Sequence, residues 1–198
     1  MPEKLDIVES TACPLPVENI DTDQIIPARF LKATRREGFG ENLFRDWRYS
    51  EDGSPREGFV LNNQKYGGTI LVAGRNFGCG SSREHAAWAI YDYGFRIVVS
   101  SFFADIFRHN ALNNGLLPIQ VTDSFLQHLL ATIQSRPETI INVNLEKQTI
   151  STSETGQSEN FAISSYKKLC LINGFDDIDF LVSIKEDIRR FEEASGRS

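Results

Sequence analysis

Cysteine is scarce in this chain. Three occur in 198 residues, Cys13, Cys79 and Cys170, odd in number and far apart. No C-x-x-C spacing is present, so neither a disulfide framework nor a zinc or iron–sulfur ligand set is encoded. Histidine is as sparse: His85, His109 and His128 are scattered, which argues against a self-contained metal site. No apolar run approaches the length needed to cross a bilayer. The opening Met1-Pro2-Glu3-Lys4-Leu5-Asp6 lacks the basic, apolar pattern of a secretory leader, so a cytoplasmic chain is expected. Positive charge is also short. Lys and Arg number 21 against 27 Asp and Glu, giving a net charge of −6 and a pI near 5.2. With no basic cluster, a nucleic-acid surface is excluded, and useful positive charge is sought as single arginines in a site.

What remains is an ordinary globular composition, 40% hydrophobic and 24% charged. The length suits one domain with a real core, and no repeat, low-complexity tract or domain boundary interrupts residues 1–198. Residues 4–8 are β-prone. From residue 68 the pattern becomes regular. Strands are expected at 69–73, 96–100 and 116–121, alternating with helices near 82–92, 103–113 and 124–134, the last capped by Thr122 or Asp123. Such alternation predicts an α/β fold, a mixed sheet with some parallel pairing and flanking helices. Residues 139–152 and 159–163 read as a hairpin around Glu154-Thr155-Gly156. Helices near 164–173 and 177–193 follow. Residues 32–58, rich in Arg, Gly and aromatics, read as a long excursion with a short helix around Phe44 to Arg48.

The densest stretch is Gly78-Cys79-Gly80-Ser81-Ser82-Arg83-Glu84-His85. It lies between the strand at 69–73 and the helix near 82–92. Ser81 and Glu84 have capping-box spacing, which predicts Ser81 at the N-cap. A helix entrance with free N–H groups and its positive dipole end suits an anion. Arg83 adds a guanidinium that grips a carboxylate through two parallel hydrogen bonds. A capping serine beside a tight turn is also a common structural device with no chemistry. The phosphate-loop pattern G-x-x-x-x-G-K-[ST] is absent, and the glycine spacing is wrong for a dinucleotide. Cys79 with His85 could be read as a thiolate nucleophile, but loop-holding hydrogen bonds are favoured for His85. Asp21 and Asp23 read as turn and cap residues supporting the site rather than as a paired-carboxylate acid–base couple.

Several motifs together resemble one family. They are Asn19-Ile20-Asp21-Thr22-Asp23-Gln24-Ile25-Ile26-Pro27, Gly38-Phe39-Gly40 with Leu43-Phe44 and Asp46-Trp47-Arg48-Tyr49, and Asn76 to Ala86. Ser101-Phe102-Phe103-Ala104-Asp105-Ile106-Phe107 and Asn113-Asn114-Gly115-Leu116-Leu117-Pro118 complete the set. The chain resembles the small subunits of 3-isopropylmalate dehydratase (isopropylmalate isomerase) in the aconitase superfamily over nearly its whole length.

That resemblance implies the swivelling β/β/α fold. It also implies a heterodimeric hydro-lyase interconverting 2- and 3-isopropylmalate in leucine biosynthesis through an alkene. No cofactor is expected in this chain; a [4Fe–4S] cluster is expected on the large-subunit partner. The small dicarboxylate substrate would meet Ser81 as the base, an alkoxide in the family, with Ser82 hydrogen-bonding and Arg83 clamping a carboxylate. The family calls for no cysteine chemistry at Cys79, which implies packing there. The excursion at 32–58 matches the family's substrate-recognition loop, expected to be mobile. Within it Arg36 matches better than Arg35 as the contact to the second carboxylate; either also reads as a solvated loop arginine. Two rivals stand beside this reading. One is a related hydro-lyase subunit acting on homocitrate-type or methyl-substituted malates. The other is an anion-binding module without chemistry.

Overall fold

The computed structural model describes residues 3–31 and 38–194. Its strands form two four-stranded sheets. The first is antiparallel, in the order β1 (Ile7–Ser10), β6 (Ile141–Asn144), β7 (Thr149–Thr152) and β8 (Ser158–Asn160). The second is parallel, in the order β2 (Ala12–Leu15), β3 (Ile70–Ala73), β4 (Ile97–Ser100) and β5 (Leu117–Gln120). The α/β class is as expected, with the two kinds of pairing segregated between sheets. Only Thr11 separates β1 from β2, so the chain passes from one sheet to the other in a single residue.

The parallel strands read as unbroken apolar runs because both faces of their sheet are covered. Alternate residues along each strand point to opposite faces. On one face Ala12, Ile70, Val72, Ile97, Val99, Leu117 and Ile119 share a core with Leu126, Leu129, Leu130 and Ile133 of α5 (Asp123–Ser135), and with Ile141, Val143 and Ile150 of the other sheet. Thr122 caps α5, accepting from the Phe125 N–H at 3.3 Å. On the other face Cys13, Leu15, Leu71, Ala73 and Val98 pack on Ala86, Ala89 and Ile90 of α3 (Glu84–Tyr93) and on Phe107 and Ala111 of α4 (Asp105–Asn113). Among the described residues no helix is long and apolar enough to cross a membrane.

Two expectations near the C-terminus are corrected. The segment 139–152 is not one arm of a hairpin. It is itself a hairpin, β6 to β7, and β8 adds a third strand. The chain turns because the Asn144 side chain accepts from the Lys147 N–H at 2.7 Å and Gln148 adopts φ +56°. The terminal helix is two helices, α7 (Asp177–Ser183) and α8 (Lys185–Ala194), after α6 (Ser165–Asn173). The Ser183 hydroxyl donates back to the Phe180 carbonyl at 2.6 Å, competing with helix continuation at the break.

Within the excursion expected over 32–58, residues 39–50 pack on the core while residues 51–58 are exposed. Phe39, Leu43 and Phe44 are buried in the same core as α3, and the short helix expected there is α2 (Arg45–Arg48). Gly40 donates its N–H to the Asp92 carboxylate at 2.8 Å. A Cβ on Gly40 would lie 2.4 Å from the Tyr93 nitrogen, so only glycine permits this approach. Arg48, 8% exposed, secures the segment. Its guanidinium donates to Asn62 Oδ1 (3.2 Å), the Glu41 and Leu43 carbonyls (3.4 and 3.3 Å) and the Tyr49 hydroxyl (3.2 Å). It also lies over the rings of Tyr49 and Tyr93, 5.1 and 4.8 Å from their centroids.

Arg48→Met leaves those buried acceptors unpaired. It is expected to lower the free energy of unfolding by about 1–3 kcal/mol. Exposed Arg29, paired with Asp46, is the control: Arg29→Met is expected to cost under about 1 kcal/mol. Urea midpoints at constant slope measure both.

Candidate active site

The sequence-selected motif lies at the carboxyl end of the parallel sheet, where open α/β sheets place their ligands. Two loops meet there. One leaves β2 and runs through Asn19 to α1 (Thr22–Ile25). The other leaves β3 and runs through Gly78 to the entrance of α3. They are joined by backbone bonds: Asn19 N–H to the Arg75 carbonyl (2.8 Å), Gly78 N–H to the Ile20 carbonyl (2.8 Å) and Thr22 N–H to the Cys79 carbonyl (2.9 Å). The Thr22 hydroxyl donates to the Ser81 carbonyl at 2.9 Å. Asn19 and Asn76, with φ of +55° and +62°, hydrogen-bond each other's side chains at 2.8 Å.

This pairing overturns the capping expectation for Ser81. α3 begins at Glu84, its N-cap residue is Arg83, and no side-chain cap bond is made. Ser81 is held back from the helix by its carbonyl, which Thr22 engages. The capping box sits instead on α1. There Asp21 Oδ1 accepts from the Gln24 N–H and the Asp21 N–H donates to Gln24 Oε1, both at 2.9 Å. Asp21 is therefore the turn and cap residue expected of it.

Gly78 is dictated by packing. Its φ is +75°, and a Cβ would lie 2.2 Å from Phe107 Cγ. Ser81 and Ser82 are exposed, and their hydroxyls have no hydrogen-bond partner among the described residues. Arg83 is different. Its guanidinium holds the Asp23 carboxylate through two parallel bonds, Nη1 to Oδ1 and Nη2 to Oδ2, the second 2.9 Å long. The Arg83 side chain is 16% exposed and Asp23 53%. That pairing leaves the Nε–H and the second Nη2–H, which together form the side edge of the guanidinium and match a second carboxylate. The structure thus brings Ser81, Ser82 and Arg83 together with Asp23. Arg35 and Arg36 lie outside the described residues.

Cys79 donates weakly to the Asn19 carbonyl at 3.4 Å. Desolvation, then the neighbouring Asp21 charge, raises its pKa above the ordinary thiol value. A raised thiol is a poorer nucleophile at neutral pH, in keeping with packing. His85 makes ring contacts with Phe39 and Trp88, centroids 5.5 and 4.6 Å away, rather than the loop hydrogen bonds expected of it. Sequence reasoning also missed the anchor beneath α3. Buried Asn114 bonds to both Glu84 and Trp88, and its only signal was its place in the Asn113-Asn114-Gly115 motif.

Over residues 3–124 the chain matches the aconitase C-terminal domain family. It is 60% identical over 193 residues to the 3-isopropylmalate dehydratase small subunit of Cytophaga hutchinsonii, covering 98% of this chain and 96% of that one. It is 62% identical over 191 residues to the corresponding protein of Christiangramia forsetii, covering 96% and 93%. Among solved structures it is similar to 3-isopropylmalate dehydratase (leuD) from Methanocaldococcus jannaschii. The TM-score is 0.66 at 27% identity, covering 93% of this chain and 98% of that one.

Because Ser81 is no cap, Ser81→Ala is expected to change stability by less than about 0.5 kcal/mol. Asp21→Ala, which removes a real cap, is expected to cost about 1 kcal/mol. Denaturant unfolding of the two variants in parallel measures the difference.

Proposed function

The chain belongs to the aconitase C-terminal domain family, among the 3-isopropylmalate dehydratase small subunits, and we propose that its Ser81–Arg83 edge is one half of that hydro-lyase's active site. The enzyme interconverts 2-isopropylmalate and 3-isopropylmalate by dehydration and rehydration in leucine biosynthesis. The single observation that carries the reading is the contrast at the α3 entrance. Two exposed, unpartnered hydroxyls stand beside an arginine already fixed in carboxylate-gripping geometry.

Dehydration removes a proton from a carbon next to a carboxylate and expels hydroxide from its neighbour. Ser81 is the proposed base, and its Oγ is free to face substrate. An ordinary hydroxyl is a very poor base, so the alkoxide needs positive surroundings. The α3 entrance supplies roughly 0.3–1 kcal/mol. Arg83, two residues on, adds a guanidinium whose charge Asp23 partly offsets, and exclusion of water on assembly strengthens both contributions. Arg83 offers its free Nε edge to one substrate carboxylate while Asp23 holds the other edge still. Ser82 contributes its hydroxyl or N–H to substrate. Arg36, or failing it Arg35, is proposed for the second carboxylate.

The residues present do not fit a [4Fe–4S] cluster. Cys13 and Cys170 are buried on β2 and α6, Cys79 is in the α3 loop, and no group of three or more potential ligands converges among the described residues. We assign the cluster, which supplies Lewis-acid chemistry toward the hydroxyl, to the large subunit. That subunit also closes over the exposed serines, and the pair is placed in the cytoplasm.

Ser81→Ala is expected to co-purify with the large subunit and to lose about 10²–10⁴-fold in kcat. An assembled variant turning over within a few-fold of wild type would refute the assignment.

A further inference from the structure

Asn114 ends α4 and is 6% exposed. Its amide is used on both sides. Nδ2 donates to Glu84 Oε1 at 3.0 Å and to the Asn110 carbonyl at 2.8 Å, and Oδ1 accepts from Trp88 Nε1 at 2.9 Å. Glu84 is the first residue of α3, and Trp88 lies four residues on, one turn along the same face. Asn114 therefore holds, from a neighbouring helix, two residues one turn apart at the start of α3, the first of them next to Arg83 in sequence. The Trp88 ring in turn backs His85 and meets Phe39 edge-on, with centroids 4.6 and 6.2 Å apart.

We propose that Asn114 is a positioning residue for the substrate site: through Glu84 and Trp88 it fixes the α3 entrance, and so the place of the Arg83 guanidinium. The proposal rests on Arg83 gripping substrate. A buried amide fits the task because it donates from Nδ2 to Glu84 while accepting at Oδ1 from Trp88, two groups held apart on one planar side chain. Gly40 and Asp92 join the far end of the helix, about two turns away.

Asn114→Asp keeps the shape and the Trp88 acceptor but sets a carboxylate against the Glu84 carboxylate. In the assembled heterodimer, with 2-isopropylmalate, kcat/KM is expected to fall about tenfold to a hundredfold, the penalty of a small misplacement. Adding Glu84→Gln restores a bond of reversed polarity, the new amide donating to the new carboxylate, and is expected to return kcat/KM to within about threefold. In an Arg83→Lys background the Asn114→Asp penalty is expected to shrink below about twofold, because the gripping group is already lost. A purely structural Asn114 keeps its full penalty in that background, and this result overturns the proposal. So does an Asn114→Asp enzyme within twofold of wild type. If Asn114→Asp does not assemble, Glu84→Ala cuts the same bond from the exposed side and carries the same comparison. Unchanged turnover in Arg83→Lys alone refutes the substrate grip itself, and a multiplicative penalty refutes only the role of Asn114.

Discussion

The site depends on the pairing of two loops at the carboxyl edge of the parallel sheet. The loops leave adjacent strands, β2 and β3, and are bonded through backbone groups from Asn19–Arg75 to Thr22–Cys79. Backbone pairing leaves little freedom in the side chains that follow. Gly78 must be glycine because Phe107 occupies the space of its Cβ. Ser81 must stop short of the helix because Thr22 holds its carbonyl. Asp23 comes to Arg83 because α1 starts where the pairing ends. Sheet and helices serve this edge by burying both sheet faces, so that the loops spring from a rigid base.

The electrostatics follow from the same arrangement. Arg83 would carry an uncompensated charge in a half-buried place, and Asp23 balances it without using every donor. The helix entrance adds a modest field of the same sign. The serines are left in water, where an ordinary hydroxyl stays protonated near neutral pH. The proposed role of Ser81 as a base therefore requires a second surface that replaces this water with fixed positive charge. This edge presents one cation and two exposed hydroxyls, and the relatives the chain matches are named small subunits, which implies a large-subunit partner.

Much of this was legible in the sequence. The strands after residue 68 stood out because a sheet buried on both faces needs unbroken apolar runs, such as Ile97-Val98-Val99. The position of Ser81, Ser82 and Arg83 on a strand–loop–helix junction was legible for the same reason. The helix start was not. Ser81 and Glu84 have the spacing of a capping box, but the partner that pulls Ser81 away, Thr22, is 59 residues distant. The same long-range blindness hid Asn114 and Asp23 as partners of the α3 entrance. Arg48 illustrates the converse. Its motif was visible, yet a buried guanidinium satisfied by carbonyls and two tyrosine rings is a property of tertiary packing alone. The hairpin at Leu145–Gln148 was missed because its turn uses Asn144 and a left-handed Gln148, without the glycine that usually marks such a turn. Arg35 and Arg36 lie outside the described residues, so their part in the site rests on the resemblance.

The central claim is that this chain holds half a site and is chemically idle alone. The direct test purifies it and the large subunit anaerobically, and assays 2- and 3-isopropylmalate interconversion for each subunit and for the two combined. The account predicts turnover only from the combination, saturating as the subunits reach equal amounts. Interconversion by the small subunit alone would contradict it.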